Sequence, residues 1–172
     1  MIKIIVVEGV DNTGKTRLIK RLVQSFPLLK VIKSPGPTPD LPRWTMQELM
    51  ESRNRHLKIY DRFFFSELVY GPVLRGKNLY SEKEQNYILD FMKLVAQPLV
   101  ILCYRLNAEE SISEREQMEG VIENFEQLSQ GYFEVIEPLL MEYEIPYIPY
   151  SFEDEGAFER VKLRVAKHMW KE

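Results

Sequence analysis

The chain has 172 residues, of which 45% are hydrophobic and 28% charged, and its formal net charge is −3. This length suits one domain, spanning 1–172, with a core of its own. The negative charge argues against a protein that binds nucleic acid or a membrane surface through a broad basic face, whereas a local basic pocket for a small phosphorylated ligand is compatible with it. The one cysteine, Cys103, cannot form an intramolecular disulfide, which fits a cytoplasmic setting.

A predicted first strand, residues 2–7, leads directly into a phosphate-binding motif. Residues 9–16 fit G-x-x-x-x-G-K-S/T at every fixed position. Glycines let such a loop curl until successive N–H groups point at phosphates, and the helix that follows presents its amino-terminal end to the same anion. We expect Lys15 to reach the β- and γ-phosphates of ATP and the Thr16 hydroxyl to bind Mg²⁺. The predicted ATP contacts are Gly9, Val10, Asn12, Thr13, Gly14, Lys15, Thr16 and Arg17. The alternative is a chance match that binds nothing.

The remaining pattern predicts alternating strands and helices. Strands are expected at 28–33, 57–62, 99–104 and 146–149. Helices are expected at 43–55, 63–70, 81–95, 121–143 and 155–171, with Gly71 and Pro72 ending the second of these and Gly131 and Pro138 breaking or bending the fourth. The alternation predicts an α/β fold in which helices wrap a five-stranded parallel sheet. The charged run 107–119 is typical of a solvated helix or of a flap.

Two charged residues, Asp61 and Arg62, end the predicted third strand. Ligands of open α/β sheets sit outside the carboxyl ends of the strands, so both residues are expected on the side of the phosphate loop. The alternative is a surface ion pair that closes the strand.

Three further segments resemble those of thymidylate kinases. Residues 60–70 resemble D-R-Y/F/H-x-x-S-x-x-A/V-Y, residues 33–38 look like a variant of R-E-P-G-G-T, and residues 53–56 are similar to R-x-x-H. Residues 8–11 match the family's E-G-x-D, and all four segments occur in the family's order. The resemblance implies a P-loop NTPase fold of the nucleoside monophosphate kinase type. The implied activity transfers the ATP γ-phosphoryl group to a deoxynucleoside monophosphate, with ATP and Mg²⁺.

The resemblance also implies roles for individual residues. Arg62 would clamp the acceptor phosphate, and Asp61 would support the metal and orient Arg62. Asp11 would meet the sugar 3′-hydroxyl or magnesium-bound water, unless it is only a turn residue. Arg53 would contact the base edge, unless it is solvated. The implied substrate contacts are Asp11, Lys33, Pro35, Arg53, Arg62, Phe63, Ser66, Glu67 and Tyr70, and the implied metal contacts are Thr16, Asp61 and Asp11.

Several further expectations rest on the same resemblance. Tyr70 would pack on the sugar, whereas Phe63 is mostly a core residue that could also stack on a base. The Ser34–Pro35 bond is expected to be cis. The family usually dimerises, so a homodimer is possible. The shortness of the chain is similar to that of compact members encoded by bacteriophages, which would place it in the host cytoplasm.

Two residues depart from the family pattern. Asn12 stands where one branch has an arginine in the phosphate loop, so the transition-state arginine is expected in a flap over 107–120. Arg115 is the first candidate and Arg105 the second, and a solvated charge run is the alternative. Lys15, Arg62, Asp61 and Arg115 form the predicted catalytic set.

The second departure is Glu67, which replaces the Asn, Thr or Gln that the family places near the pyrimidine N3–H. A carboxylate only accepts hydrogen bonds, so the base could be thymine, guanine or a modified uracil. Two rival functions stay open. One is a deoxynucleoside kinase, which needs a general base, and the other is a nucleotide-binding module without catalysis.

Overall fold

A five-stranded parallel sheet forms the centre of the protein. The computed structural model describes residues 4–51, 57–105 and 120–170. The strands are β1 (Ile4–Glu8), β2 (Lys30–Lys33), β3 (Lys58–Asp61), β4 (Leu99–Cys103) and β5 (Tyr147–Tyr150). Their spatial order is β2-β3-β1-β4-β5, and every neighbouring pair is parallel. The predicted α/β fold and its five parallel strands are confirmed.

Helices cover the sheet and connect its strands. They are α1 (Lys15–Ser25), α2 (Leu41–Glu51), α3 (Phe64–Arg75), α4 (Glu82–Phe91), α5 (Phe125–Gly131), α6 (Glu137–Glu142) and α7 (Ala157–Trp170). A π-helical turn, Met92–Ala96, extends α4, and a second one, Tyr132–Ile136, joins α5 to α6. None of the described helices is long and apolar enough to cross a membrane.

Both faces of the sheet are buried, which gives the fold three layers. Along β1, Ile4 and Val6 belong to one core with the aromatic side chains of α3 and the apolar side chains of α4 and α5. Ile5 and Val7 point to the opposite face and pack with α1 and α7. Because helices cover both faces, the central strands β1 and β4 are almost continuously apolar instead of alternating with polar residues.

Three local expectations are resolved by the backbone. Helix α3 does not end at Gly71 and Pro72 but continues through them to Arg75. Proline removes one intrahelical hydrogen bond, and the helix accommodates that loss in its last turns. Gly76 ends the helix with φ 68° and donates its N–H to the Pro72 carbonyl at 3.1 Å. The Ser34–Pro35 bond is trans, contrary to the expectation. At Gly131 the helix changes from α-helical to π-helical geometry, and it then continues through Pro138 in α6 without a break.

The carboxyl ends of the strands meet at one edge of the sheet. Parallel pairing sets Val7 beside Asp61 and Lys33 beside Asp61. The phosphate loop after β1 therefore lies next to the segment that follows β3. This edge carries the candidate site.

Candidate nucleotide-binding site

Two glycines fix the backbone of the phosphate loop. Gly9 has φ 139°, and a Cβ atom on it would lie 2.2 Å from the Cys103 carbonyl oxygen on neighbouring β4. Gly14 has φ 83°, and a Cβ atom there would lie 2.7 Å from the Phe152 ring. Both positions combine a left-handed conformation with a close approach that only glycine permits. The loop is thus fixed by packing against β4 and the segment after β5.

Lys15 is buried at the first position of α1, with 7% of its surface exposed. Its ammonium donates to the Val10 carbonyl of the same loop, and the Thr13 hydroxyl donates to that carbonyl at 2.8 Å. Burial lowers the pKa of Lys15 to about 7. The contact holds the amine at the end of the loop, where an anionic phosphate would favour its charged form.

The first turn of α1 offers groups to a nucleotide and a metal. Thr16 and Arg17 are exposed there, and Asn12 has the left-handed φ of 63°. Among residues 4–51, 57–105 and 120–170, no group of three or more His, Cys, Asp or Glu could hold a metal. Mg²⁺ commonly takes one or two protein ligands together with phosphates and water. Thr16 and the partly exposed Asp61 fit that donor set.

Arg62 is the centre of a polar cluster beside the loop. Its Nη2 donates to Asp11 Oδ1 at 2.7 Å and to the Tyr70 hydroxyl at 3.0 Å. Its Nη1 donates to Ser66 Oγ at 3.2 Å and to the Tyr132 hydroxyl at 3.5 Å. The side chains of Arg62 and Asp11 are 20% and 30% exposed, so a ligand can still reach the pair. The structure therefore brings together the predicted residues Asp11, Arg62, Ser66 and Tyr70.

The backbone at Arg62 is unusual for a residue with a side chain. Its φ is 64°, and its N–H donates to the Val7 carbonyl at 3.0 Å. Such conformations cost free energy and persist where the surroundings hold them. Asp61 was expected to orient Arg62, but the guanidinium donates its described hydrogen bonds to Asp11 and to the three hydroxyls. Asp11 is thereby engaged by Arg62, and Asp61 stays a predicted metal ligand.

Neighbouring charges and burial shift the pKa values of Arg62 and Tyr70 in opposite directions. Burial alone would lower the pKa of Arg62, but Tyr70, Tyr132 and the carboxylates of Asp11 and Glu8 outweigh it and raise that pKa. Burial raises the pKa of Tyr70 to about 12, although Arg62 opposes the shift. At neutral pH the cluster therefore holds a permanent cation among neutral hydroxyls.

Glu8 joins this cluster and was not predicted to do so. The residue has no exposed surface, and its Oε1 accepts the Phe63 N–H at 2.8 Å. Its Oε2 accepts the Ser66 hydroxyl and, at 3.4 Å, the Tyr132 hydroxyl. Burial raises the pKa of Glu8 above its ordinary value, although the hydrogen bond from Ser66 and the charge of Arg62 act to lower it.

Glu67 has a different environment from the one predicted. Its side chain is 3% exposed, and both carboxylate oxygens lie 2.5 Å from Arg75 Nη2. Oε1 also accepts the Leu79 N–H at 2.9 Å. The expected contact with a base N3–H is therefore not supported, because Arg75 and the backbone of the loop after α3 already occupy the carboxylate.

Other predicted residues fall on different parts of the structure. The ring of Phe63 is 1% exposed and packs 4.6 Å from Tyr60 and 5.6 Å from Trp44, measured between centroids. Its core interpretation is confirmed, and the ring is not accessible to a base. Lys33 and Pro35 are exposed at the end of β2. Arg53, Arg115 and the flap residues 107–119 lie outside the described residues.

Arg105, the second candidate for the transition-state arginine, follows β4. Its guanidinium lies 5.2 Å from the centre of the Phe152 ring, and Nε lies 3.4 Å from Glu153 Oε1. Phe152 is the residue that contacts the phosphate loop at Gly14. Arg105 therefore lies beside the loop, and its catalytic role stays a prediction.

The site residues that sequence reasoning missed differ in their signals. Glu8 ends an otherwise apolar strand, and a charge in such a strand indicates a buried partner. Tyr132 gave no such signal, because it fits the apolar period of its helix. Arg75 lies eight positions after Glu67 in α3, whereas side chains that interact on a helix are usually three or four positions apart. The two meet because Glu67 faces the loop that follows the helix.

Comparisons with known proteins agree with this geometry. No family model matches the chain. A probable thymidylate kinase from Metallosphaera sedula is 30% identical over an alignment of 166 residues, and the match covers 80% of this chain and 85% of that protein. YorR from Bacillus subtilis, solved in complex with phosphorylated GDP, has a TM-score of 0.70 at 17% identity, and the match covers 98% of this chain and 99% of that one. A deoxyadenosine kinase from M. mycoides with bound dATP has a TM-score of 0.61 at 17% identity, and the match covers 96% of this chain and 100% of that one.

Both solved structures have the P-loop kinase fold of this chain. The extent of the sequence match to the probable thymidylate kinase shows that this chain belongs to the thymidylate kinase family of nucleotide kinases.

Proposed function

We propose that the chain is a deoxynucleoside monophosphate kinase that phosphorylates a thymidylate-like acceptor with ATP. The observation that carries this proposal is the 2.7 Å ion pair between Arg62 and Asp11. Asp11 belongs to the phosphate loop, so the pair joins a second cationic side chain directly to the loop that would bind ATP. Two adjacent cationic positions suit a reaction between two phosphate groups.

The proposed reaction needs alignment and charge neutralisation more than proton transfer. An oxygen of the acceptor 5′-phosphate forms a bond to the γ-phosphorus, and the bond from that phosphorus to the bridging oxygen breaks to release ADP. Lys15 neutralises the transferring group, and Arg62 holds the acceptor phosphate. Thr16 and Asp61 would hold Mg²⁺, which neutralises phosphate charge when it is bound.

The protonation states favour a phosphate acceptor over a nucleoside hydroxyl. A monophosphate ester has a second pKa of about 6, so its attacking oxygen is already anionic at neutral pH. A 5′-hydroxyl would need a general base. The oxygens of Glu8 accept the Phe63 N–H and two hydroxyls, and Asp11 is paired with Arg62. Asp11 and Glu8, the two carboxylates whose charges raise the pKa of Arg62, are thus already engaged.

A panel of acceptors tests the proposal. The pure protein is incubated with Mg²⁺ and ATP together with deoxynucleosides and deoxynucleoside monophosphates of thymine, uracil, guanine, adenine and cytosine, and the products are separated by chromatography. We expect diphosphates from one or more monophosphates, with thymidylate among the best acceptors. Phosphorylation of nucleosides but not of monophosphates would overturn the proposal in favour of a deoxynucleoside kinase. Nucleotide binding without any turnover would favour a non-catalytic module.

A further inference from the structure

Glu8 is a carboxylate with no exposed surface at the carboxyl end of β1. Burying a carboxylate costs several kcal/mol unless hydrogen bonds or a counter-charge compensate for the lost water. The hydrogen bonds to Glu8 come from Phe63, Ser66 and Tyr132, which all adjoin Arg62, and the charges of Arg62 and Lys15 add to them. Glu8 makes no direct ion pair with Arg62 within the described structure, and the contact between them runs through two hydroxyl groups.

The two hydroxyls connect Glu8 to one side of the Arg62 guanidinium. Ser66 Oγ accepts from Arg62 Nη1 at 3.2 Å and donates to Glu8 Oε2. The Tyr132 hydroxyl accepts from the same Nη1 at 3.5 Å and donates to Oε2 at 3.4 Å. The other side of the guanidinium contacts Asp11 and Tyr70. Arg62 is therefore held from two opposite directions.

The chemistry of a carboxylate fixes the direction of these hydrogen bonds. An ionised carboxylate has only acceptors, so a hydroxyl that bonds to Glu8 must donate its single proton to it. The lone pairs of Ser66 and Tyr132 are then left to accept the N–H groups of Arg62. A glutamine at this position could not reproduce the pattern. An amide keeps only one acceptor oxygen, so either the Phe63 N–H or the two hydroxyls would lose their acceptor.

Glu8 also fixes the backbone on the far side of Arg62. It accepts the N–H of Phe63, the residue between Arg62 and helix α3. A carboxylate at this point is favourable, because the amino-terminal end of a helix carries partial positive charge. The left-handed Arg62 is thereby held between its own N–H bond to Val7 and the Phe63 bond to Glu8.

Tyr132 reaches this cluster because of the local shape of its helix. The π-helical turn begins at Tyr132, and such turns redirect side chains at functional sites. Gly131 precedes it, and a Cβ atom on Gly131 would lie 2.7 Å from Val69 of α3. The close approach of the two helices lets the Tyr132 hydroxyl reach Ser66, 3.1 Å away.

We propose that Glu8 is a positioning residue, which holds Arg62 in its acceptor-binding geometry through the hydroxyls of Ser66 and Tyr132. The inference rests on the proposed role of Arg62 in the kinase reaction. It further implies that the ATP loop and the acceptor arginine are one connected unit, because Glu8 is joined by a peptide bond to Gly9 of the phosphate loop.

A double-mutant cycle tests the connection. We expect Glu8→Gln to lower kcat/KM for the monophosphate acceptor by about tenfold or more while changing the KM for ATP less than about twofold. In an Arg62→Ala background, Glu8→Gln should change kcat/KM for the acceptor by less than about twofold, because Glu8 acts through the Arg62 side chain that this background lacks. An equal loss in both backgrounds would overturn the proposal. Glu137→Gln is the matched control, because Glu137 accepts the Tyr147 hydroxyl at 2.6 Å, at the amino-terminal end of β5 and so away from the site.

A measurement without substrate separates this proposal from the kinase assignment. Nitrogen-15 NMR of the Arg62 guanidinium reports how freely it rotates. We expect slow rotation in the wild type and faster rotation in Glu8→Gln, and unchanged rotation would overturn the positioning role whatever reaction the protein catalyses. If Glu8→Gln does not fold, Tyr132→Phe replaces it in both experiments, because it removes one hydroxyl and keeps the buried carboxylate. If the wild type phosphorylates no acceptor, the proposed function fails, and the NMR result still decides the role of Glu8.

Discussion

The phosphate loop and the Arg62 cluster hold their cationic side chains in different ways. Lys15 donates to Val10, a carbonyl only five positions earlier in the chain. Arg62 is held by Asp11, Ser66, Tyr70 and Tyr132, which come from the phosphate loop, from α3 and from the turn after α5. The lysine is therefore held by local backbone, and the arginine by tertiary structure.

This difference matches two tasks in the proposed reaction. A lysine that donates to a backbone carbonyl can exchange that carbonyl for a phosphate oxygen without disturbing any other side chain. An arginine with partners on both sides keeps its planar fork oriented before a ligand arrives, which lowers the entropy cost of binding. The loop thus combines a rigid backbone with a movable charge, whereas the cluster presents a fixed charge. Changes at Lys15, Gly9 and Arg75 would test this contrast.

Replacement of Lys15 should have the largest effect. We expect Lys15→Ala to lower kcat by about 10²- to 10³-fold or more, because the transferring phosphoryl group loses its nearest cation. Steady-state kinetics with Mg²⁺ and ATP give the number. Lys20→Ala is the matched control, since Lys20 is an exposed lysine on the same helix. A Lys15→Ala enzyme with wild-type turnover would remove the phosphate loop from the mechanism.

Replacement of Gly9 tests the rigidity of the loop backbone. Gly9→Ala should lower the free energy of unfolding by roughly 3 kcal/mol or more, because the new methyl group overlaps the Cys103 carbonyl and φ is positive. Gly76→Ala is the control: φ there is also positive, at 68°, but nothing lies within 4 Å of the added atom. It should cost only about 1 to 2 kcal/mol. Urea unfolding measures both variants. Equal losses of unfolding free energy would show that the Cys103 carbonyl moves aside at little cost.

The phosphate loop was easier to predict from the sequence than the Arg62 cluster, because local contacts hold the loop and tertiary structure holds the cluster. Residues 9–16 carry their function in local spacing, so Lys15 and Thr16 could be identified directly. The alternation of apolar runs likewise predicted all five strands, with ends shifted by a few residues. Glu8, Ser66 and Tyr132 meet only after β1, α3 and the turn after α5 have packed, and no local pattern encodes that meeting. Ser66 was identified through family resemblance alone. The ion pair between Glu67 and Arg75 spans eight positions of one helix, which is not a usual helical spacing, so no local pattern indicated it.

Arg75 provides a second arginine for comparison, at the opposite end of α3 from Arg62. Its partner Glu67 is 3% exposed, so we expect Arg75→Met to leave a buried carboxylate without its cation and to lower the unfolding free energy by about 2 kcal/mol. Because Arg75 itself is 28% exposed, the loss should be smaller than for a fully buried pair. Adding Glu67→Gln should restore most of the lost unfolding free energy, because an amide needs no counter-charge and its oxygen still accepts the Leu79 N–H.

The same variants test what Glu67 does for specificity. If the pair is structural, the Arg75→Met and Glu67→Gln double variant should rank the five deoxynucleoside monophosphates as the wild type does. A change of more than about tenfold in the ratio of kcat/KM between two bases would contradict the structural role and would indicate that Glu67 contacts the acceptor base. Stability is followed by urea unfolding and specificity by competition between two acceptors.

The smallest expected effect concerns the proton on Lys15. Burial lowers its pKa to about 7, so about nine-tenths of the side chains are neutral at pH 8 before ATP binds. The triphosphate favours the charged amine and raises the pKa, so binding at pH 8 should take up close to one proton, whereas at pH 6 the amine is already charged and uptake should be near zero. Titration calorimetry in two buffers with different ionisation enthalpies measures the number of protons. Lys15→Arg is the control, because a guanidinium stays charged throughout this range and its variant should take up none. Equal uptake by Lys15→Arg would assign the proton to another group and would mean that the lysine, like Arg62, holds its charge before a ligand arrives.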